Sequence, residues 1–334
     1  MRTTRSNAAL LLTPLLLLGA ALAPLATQAA PPAPIKTQAP GFQRLAVGDY
    51  EVTALFDGYN DLGPSLLKGL SQNEIRALLA RKNITSEGVQ TAFNAFLINT
   101  GKNLVLVDTG AGTCIGPTAG GLPDVIRAAG YSPDQVDTVL LTHMHLDHVC
   151  GLVDDKGAAV FANADVYAAK AEADFWLSKD NLSKAPKEAQ GFFQIAQNST
   201  APYVAAGRLK TFTPGQEPIA GVSTLNLAGH TPGSAGYEFS SKGQRIIFMG
   251  DLIHSFAVQF AHPEVSIGFD NNSAEAIAAR KKLFTQVARD NTWVAAAHLP
   301  FPAIGHIRVE GKGFAWVPVV FGPYQRAAKV PLIK

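Results

Sequence analysis

The segment Thr142-His143-Met144-His145-Leu146-Asp147-His148 places three imidazoles and one carboxylate within six consecutive residues. These ligand types suit zinc and its neighbours in the first transition row. The whole chain of 334 residues holds only eight histidines, so this density points to metal binding rather than to a polar turn. Three further candidates follow, each beside an apolar run. His230 lies in Gly229-His230-Thr231-Pro232-Gly233, Asp251 in Met249-Gly250-Asp251, and His298 after Val294-Ala295-Ala296-Ala297. Singly, each reads more readily as a hydrogen-bonded structural residue. With the cluster they make seven candidate ligands in loops at strand ends, where rigid scaffolds commonly display function. The chemistry on offer is transition-metal binding and, through it, Lewis-acid catalysis.

The elements that must position these residues read mostly as strands. Tyr50–Phe56 and Thr91–Asn99 alternate or run apolar. Leu104–Val107 is a short buried run that ends at Asp108-Thr109-Gly110, and Val136–Leu141 is another that ends at Thr142. A helix is predicted over Leu122–Ala129, closed by Gly130. The middle has helical spacing over Ala168–Leu177 and Glu188–Gln197, with Asn181–Lys187 read as a loop. Strands resume at Leu209–Phe212, Val222–Leu227, Gly236–Phe239 and Arg245–Met249. Ser273–Arg289 is the longest predicted helix, with Ile277, Leu283, Phe284 and Val287 on its apolar face. Trp293–Ala297 is a last strand, followed by a loop over Pro300–Pro302. Two halves, each running strands and then a helix, suggest two sheets with helices outside. Pattern alone gives one α/β or α+β domain.

Composition excludes several classes. With 47% hydrophobic and 16% charged residues the chain is no disordered tail. Lys+Arg of 28 against Asp+Glu of 26 offers no basic excess for nucleic acid. Two cysteines exclude a disulfide framework. Arg2 and Arg5, the apolar run from Ala8 and the small residues around Ala29 have the layout of a secretory signal peptide over residues 1–29. Its removal leaves 26 basic against 26 acidic residues, because 28 minus two arginines is 26. Residues 30–41, rich in proline, read as a flexible tether, and residues 42–334 as one domain. No later run is long enough to span a membrane, so the expectation is a soluble exported protein, periplasmic or secreted.

The order His-x-His-x-Asp-His, Gly-His-Thr-Pro-Gly, Gly-Asp and a late His resembles the metallo-β-lactamase superfamily. Within it the chain is similar to the branch of methyl parathion hydrolase and lactonase-like hydrolases. Asp108-Thr109-Gly110, Ala171-Glu172-Ala173-Asp174-Phe175-Trp176-Leu177, Gly191-Phe192-Phe193 and Ile304-Gly305-His306-Ile307-Arg308 carry the likeness beyond the motif. It spans Tyr50 to about Pro323.

The resemblance implies a four-layer αββα sandwich, a homodimer and two divalent metal ions per chain. Zinc is the first choice, with manganese, cobalt or iron as alternatives. His143, His145 and His230 would hold one ion, Asp147, His148 and His298 the other, and Asp251 would bridge them. Asp108 would orient a ligand histidine from outside, or else simply end a strand in a turn. The implied reaction is attack of a hydroxide held between two cations on an ester-type bond. Small-molecule lactones and aryl esters come first, and phosphotriesters such as methyl parathion are the alternative. Asp251 argues against a true β-lactamase, because those enzymes lack a bridging aspartate in this place. Trp176, Phe192 and Phe193 would wall the substrate pocket or, alternatively, pack their helices. His254 could donate to a lactone carbonyl or shuttle a proton, or be structural. His262 and His306 match no ligand position. Cys114 and Cys150 border the site and either pair, as an oxidising compartment allows, or leave Cys150 a buried thiol.

Overall fold

The computed structural model describes residues 32–322 and Tyr324. The expected leader and the first two residues of the expected tether lie outside the described residues. Residues 32–38 carry no helix or strand, and the described residues from Ala39 onward belong to one compact unit. No helix among the described residues is long and apolar enough to cross a membrane.

The first half of the unit runs β1 (Phe42–Val47), β2 (Tyr50–Leu62), the short β3 (Leu67–Lys68), α1 (Gln72–Ala80), β4 (Val89–Asn99) and β5 (Leu104–Val107). Next come α2 (Leu122–Ala128), β6 (Thr138–Leu140), α3 (Leu146–Val149), β7 (Asp165–Ala169), α4 (Lys170–Trp176), α5 (Lys179–Lys184), α6 (Lys187–Ala205) and β8 (Leu209–Phe212). The second half runs β9 (Val222–Asn226), β10 (Ala235–Ser241), β11 (Gln244–Phe248), β12 (Ser266–Ile267), α7 (Ser273–Asp290), β13 (Trp293–Ala295), β14 (Ile304–Glu310) and β15 (Gly313–Pro318).

Two sheets result. One has the order β1-β2-β4-β5-β6-β7-β8 and the other β15-β14-β13-β11-β10-β9. Alternation along β4 shows why they stack. Phe96 and Ile98 face the second sheet, while Ala95 and Leu97 face the opposite side, as period-2 geometry requires. Phe96 meets Phe248 across the interface with ring centroids 5.1 Å apart. Leu283, Phe284 and Val287 of α7 cover the outer face of the second sheet, and α2, α3 and α6 cover that of the first. The outcome is the metallo-β-lactamase fold, an α+β sandwich with helices outside both sheets.

Local signals set the helix ends. Ser71 and Glu74 form a capping box at the start of α1, and the Asn272 side chain caps α7 at Glu275. Asn291 ends α7 in the left-handed region, with φ of 49°.

Some sequence expectations are corrected. Ala168 and Ala169 belong to a strand, and the helix starts at Lys170. The first residues of the expected loop Asn181–Lys187 belong instead to α5, which is capped by the Ser178 side chain and carries the Asp180–Lys184 pair. Five polar residues and the single Leu182 carry no apolar period to reveal such a helix. Strands β1, β14 and β15 and helix α1 were not predicted from the pattern. β14 and β15 run from buried to exposed along their length instead of alternating, so no period-2 signal marks them.

Candidate metal centre

The parallel strands β5 and β6 end at one edge of the first sheet, and β11 and β13 end at the matching edge of the second. Ligand-bearing loops leave from these ends. Asp108 follows β5 with a positive φ of 59°. His143 and His145 follow β6, and His145, in extended backbone, is the N-cap of α3. Strand alternation up to His145 and one helical turn beyond it bring His143, His145, Asp147 and His148 to one spot. Asp251 lies in a single 3-10 turn after β11, and His298 follows β13. His230 sits on a loop whose Gly229 has φ of 129°; a side chain there would strike the backbone of Ala276 in α7.

Two groups emerge. His143, His145, His230 and Asp251 form one, Asp147, His148, Asp251 and His298 the other, and Asp251 is common to both. Within each group the ligand atoms lie within 4.8 Å of one another. All seven sequence candidates are therefore brought together.

Outer partners fix the ring tautomers. His298 Nδ1 donates to the Ala92 carbonyl at 2.9 Å, an oxygen that can only accept. His148 Nδ1 stands 3.0 Å from Asp108 Oδ2, and His230 Nδ1 2.9 Å from Asp270 Oδ1. The Thr142 hydroxyl donates to Asp108 Oδ2, which leaves its oxygen to accept from His143 Nδ1 at 3.1 Å. Four rings thus turn Nε2 inward. His145 turns Nδ1 inward instead, 3.1 Å from His143 Nε2 and 3.0 Å from His230 Nε2.

This arrangement fits cations. His145 Nδ1 faces two imidazole nitrogens at once, more than its single hydrogen could serve. His148 Nε2 and Asp251 Oδ1, 3.1 Å apart and buried, have no hydrogen-bond partner. Buried polar atoms are normally satisfied, and a shared divalent ion would satisfy all of these lone pairs together. Electrostatics agree. Burial opposes charge on His230, yet its hydrogen bonds to Asp251 and Asp270 push its pKa up to about 9. Burial likewise opposes charge on His148, yet Asp251, Asp147 and Asp108 raise it well above the usual histidine value. Burial, then His230, pulls His145 down to about 3. The site is thus built to stabilise positive charge.

Comparison with known proteins decides the family. The model of the metallo-beta-lactamase superfamily matches residues 91–298, which is more than half of the chain. The chain belongs to the metallo-beta-lactamase superfamily. Among solved structures, this superfamily member is similar to the hydrolase AbOPH of the beta lactamase superfamily. They share 43% identity with a TM-score of 0.83, covering 86% of this chain and 100% of that one. It is also similar to AidC, a dizinc quorum-quenching lactonase solved with a homoserine product. Identity there is 28% and the TM-score 0.78, over 85% of this chain and 99% of that one. A probable metal-dependent hydrolase from Staphylococcus aureus shares the fold at 19% identity and a TM-score of 0.67, over 82% and 99% of the two chains. No curated protein sequence matches. As a member of this superfamily the chain is a metal-dependent hydrolase.

Five of the candidate ligands of this metallo-beta-lactamase superfamily protein, His145, Asp147, His230, Asp251 and His298, line a cleft of about 840 Å³. Trp176, Phe192 and Phe193 all line it. Trp176 and Phe193 are buried, with ring centroids 4.6 Å apart and the rings tilted, so they pack the helices as well as facing the cleft. Phe192 is 39% exposed at the mouth, with its ring 6.4 Å from that of His145. His254 also lines the cleft. Its Nε2 stands 3.1 Å from Asp251 Oδ2, its ring stacks on His298 at 4.8 Å, and burial takes its pKa down to about 4. His262 pairs with Glu264 at the surface, and His306 stacks on Trp293, both outside the two groups.

Cys114 and Cys150 form a disulfide, with Cα atoms 6.3 Å apart. Pairing, left open by their spacing, ties the cleft wall at Cys114 to the residue that follows α3. Sequence reasoning missed Asp270, the partner of His230. It lies 40 residues from that histidine, and no local pattern links the two.

Proposed function

We propose that this protein hydrolyses ester-type bonds in small molecules, lactones and aryl esters first, with two divalent cations, most readily zinc, in the centre described above. The observation that carries this reading is the sharing of Asp251 by two histidine-carboxylate groups at the floor of an aromatic cleft. The 28% likeness to a dizinc lactonase supports it.

His143, His145, His230 and Asp251 would hold one cation, and Asp147, His148, His298 and Asp251 the other. Bound there, divalent cations supply Lewis acidity and make water acidic enough to act as a nucleophile near neutral pH. The chain's own residues do the rest. Asp108, Asp270 and the Ala92 carbonyl hold the Nδ1 protons of His148, His230 and His298, keeping each Nε2 free and aimed. Trp176 and Phe192 bury an acyl chain or aryl group and so orient the ester against the floor. His254, neutral because of its burial, would carry its proton on Nε2 beside Asp251 and would turn that N–H from the carboxylate to a substrate oxygen entering the cleft.

Phosphotriester hydrolysis is the second reading. The aromatic wall suits an aryl leaving group, and the same two groups would serve. The discriminating experiment is parallel kinetics of zinc-loaded protein on a δ-lactone, an aryl ester and a methyl phosphotriester. A kcat/KM well above that for the phosphotriester is expected for the lactone or the aryl ester. The reverse order would make the phosphotriester reading primary. The leader-like first 29 residues and the disulfide together support export to an oxidising compartment.

A further inference from the structure

Glu172, in the first turn of α4, has no exposed surface, and no role described above uses it. Both of its oxygens are fully engaged. Oε1 accepts from the Met144 N–H at 2.8 Å and from Trp176 Nε1–H at 2.8 Å. Oε2 accepts from the Thr231 hydroxyl at 2.7 Å and from the Gly233 N–H at 2.9 Å.

The four donors belong to three parts of the site. Met144 stands between the ligands His143 and His145. Thr231 and Gly233 follow the ligand His230. Trp176 walls the cleft. At Gly233 even a Cβ would strike the backbone of Glu172, so helix and loop meet at closest approach. A buried carboxylate is costly unless its lone pairs are met, and a fully satisfied buried network specifies one geometry. An apolar side chain could fill this space, but it could not hold three segments at fixed separations by four directional bonds.

We propose that Glu172 is a positioning residue. It fixes the His143–His145 segment, the His230 loop and the Trp176 wall relative to one another, so cation affinity and substrate orientation are set together. This rests on the metal-dependent reading above.

The test uses the purified full chain, with zinc affinity measured by competition against a chromogenic chelator and with kcat and KM for an acyl lactone. In Glu172→Gln the amide presents hydrogens to one pair of donors while keeping the shape. Its zinc affinity is expected to fall by about 10–100-fold, the usual effect of losing an outer partner of a metal site, with kcat falling more than KM rises. Thr231→Val removes a single donor, and Thr231→Ser keeps it. Valine is expected to weaken zinc binding and serine to restore it. Should Glu172→Gln fail to fold, the Thr231 pair decides. Wild-type zinc affinity and kcat in both Glu172→Gln and Thr231→Val, or serine as weak as valine, would overturn the proposal while leaving the metal reading intact. Wild-type protein that binds no zinc would remove both.

Discussion

Asp270 Oδ1 lies 2.9 Å from His230 Nδ1, and its side chain is completely enclosed. The contact fixes which nitrogen of His230 carries hydrogen and so which one faces Asp251. Asp270 Oδ2 also accepts from the Ile267 N–H, which ties this carboxylate to β12. One acid therefore links the folding of the 266–270 segment to the aim of a candidate ligand.

Replacing Asp270 by alanine is expected to weaken zinc binding by about 10–100-fold, the range for outer partners of metal-ligating histidines. Far-UV circular dichroism should stay unchanged. Competition against a chromogenic chelator measures the affinity, and wild-type affinity in the variant would show that His230 needs no orienting partner.

The metal-free protein should lose stability as pH rises. The folded pKa of His230 is raised from 6.5 to about 9. The folded state therefore binds this proton more tightly than the unfolded state does. That contribution is complete below pH 6.5 and is lost as pH climbs through about 9. Cations compete for the same nitrogen, so the stabilisation conferred by zinc should grow over this window. Thermal melts of chelator-treated and zinc-loaded protein across the window check both trends. A metal-free Tm that rises through it would contradict the assigned environment.

The disulfide closes a loop between residues 36 apart in sequence. Cross-links of this kind typically contribute about 2–4 kcal/mol. A Cys114→Ala, Cys150→Ala double variant should melt several degrees lower. Because Cys114 and Ile115 both line the cleft, KM for an acyl lactone should rise more than kcat falls. An unchanged Tm would mean that the loop is held by its packing alone.

His254→Leu removes the N–H beside Asp251 and leaves apolar bulk in the cleft. The ratio of lactone to phosphotriester kcat/KM is expected to fall. If neither rate changes, His254 does not face the substrate, and its position against His298 is structural only.

The seven candidate ligands were legible in the sequence because four of them fall in one strand-to-helix turn, and the other three each follow an apolar run. The strands that aim them were legible where they are buried on both faces, as in Leu104–Val107. What stayed hidden depends on contacts between segments distant in the chain. Asp270 and Glu172 are ordinary acids until the fold sets them beside His230 and Met144. Helix α5 escaped because its one apolar residue, Leu182, among five polar ones makes no helical period. The pairing of Cys114 with Cys150 depends on where β5 and α3 deliver their loops, which spacing cannot encode.

The most direct test of the account titrates chelator-treated protein with zinc while following hydrolysis of a lactone and an aryl ester. The account predicts no turnover without cation and activity that grows to a plateau near two equivalents of zinc per chain. Turnover that persists after chelation, or that zinc does not restore, would contradict the central claim that the two groups sharing Asp251 are the catalytic centre.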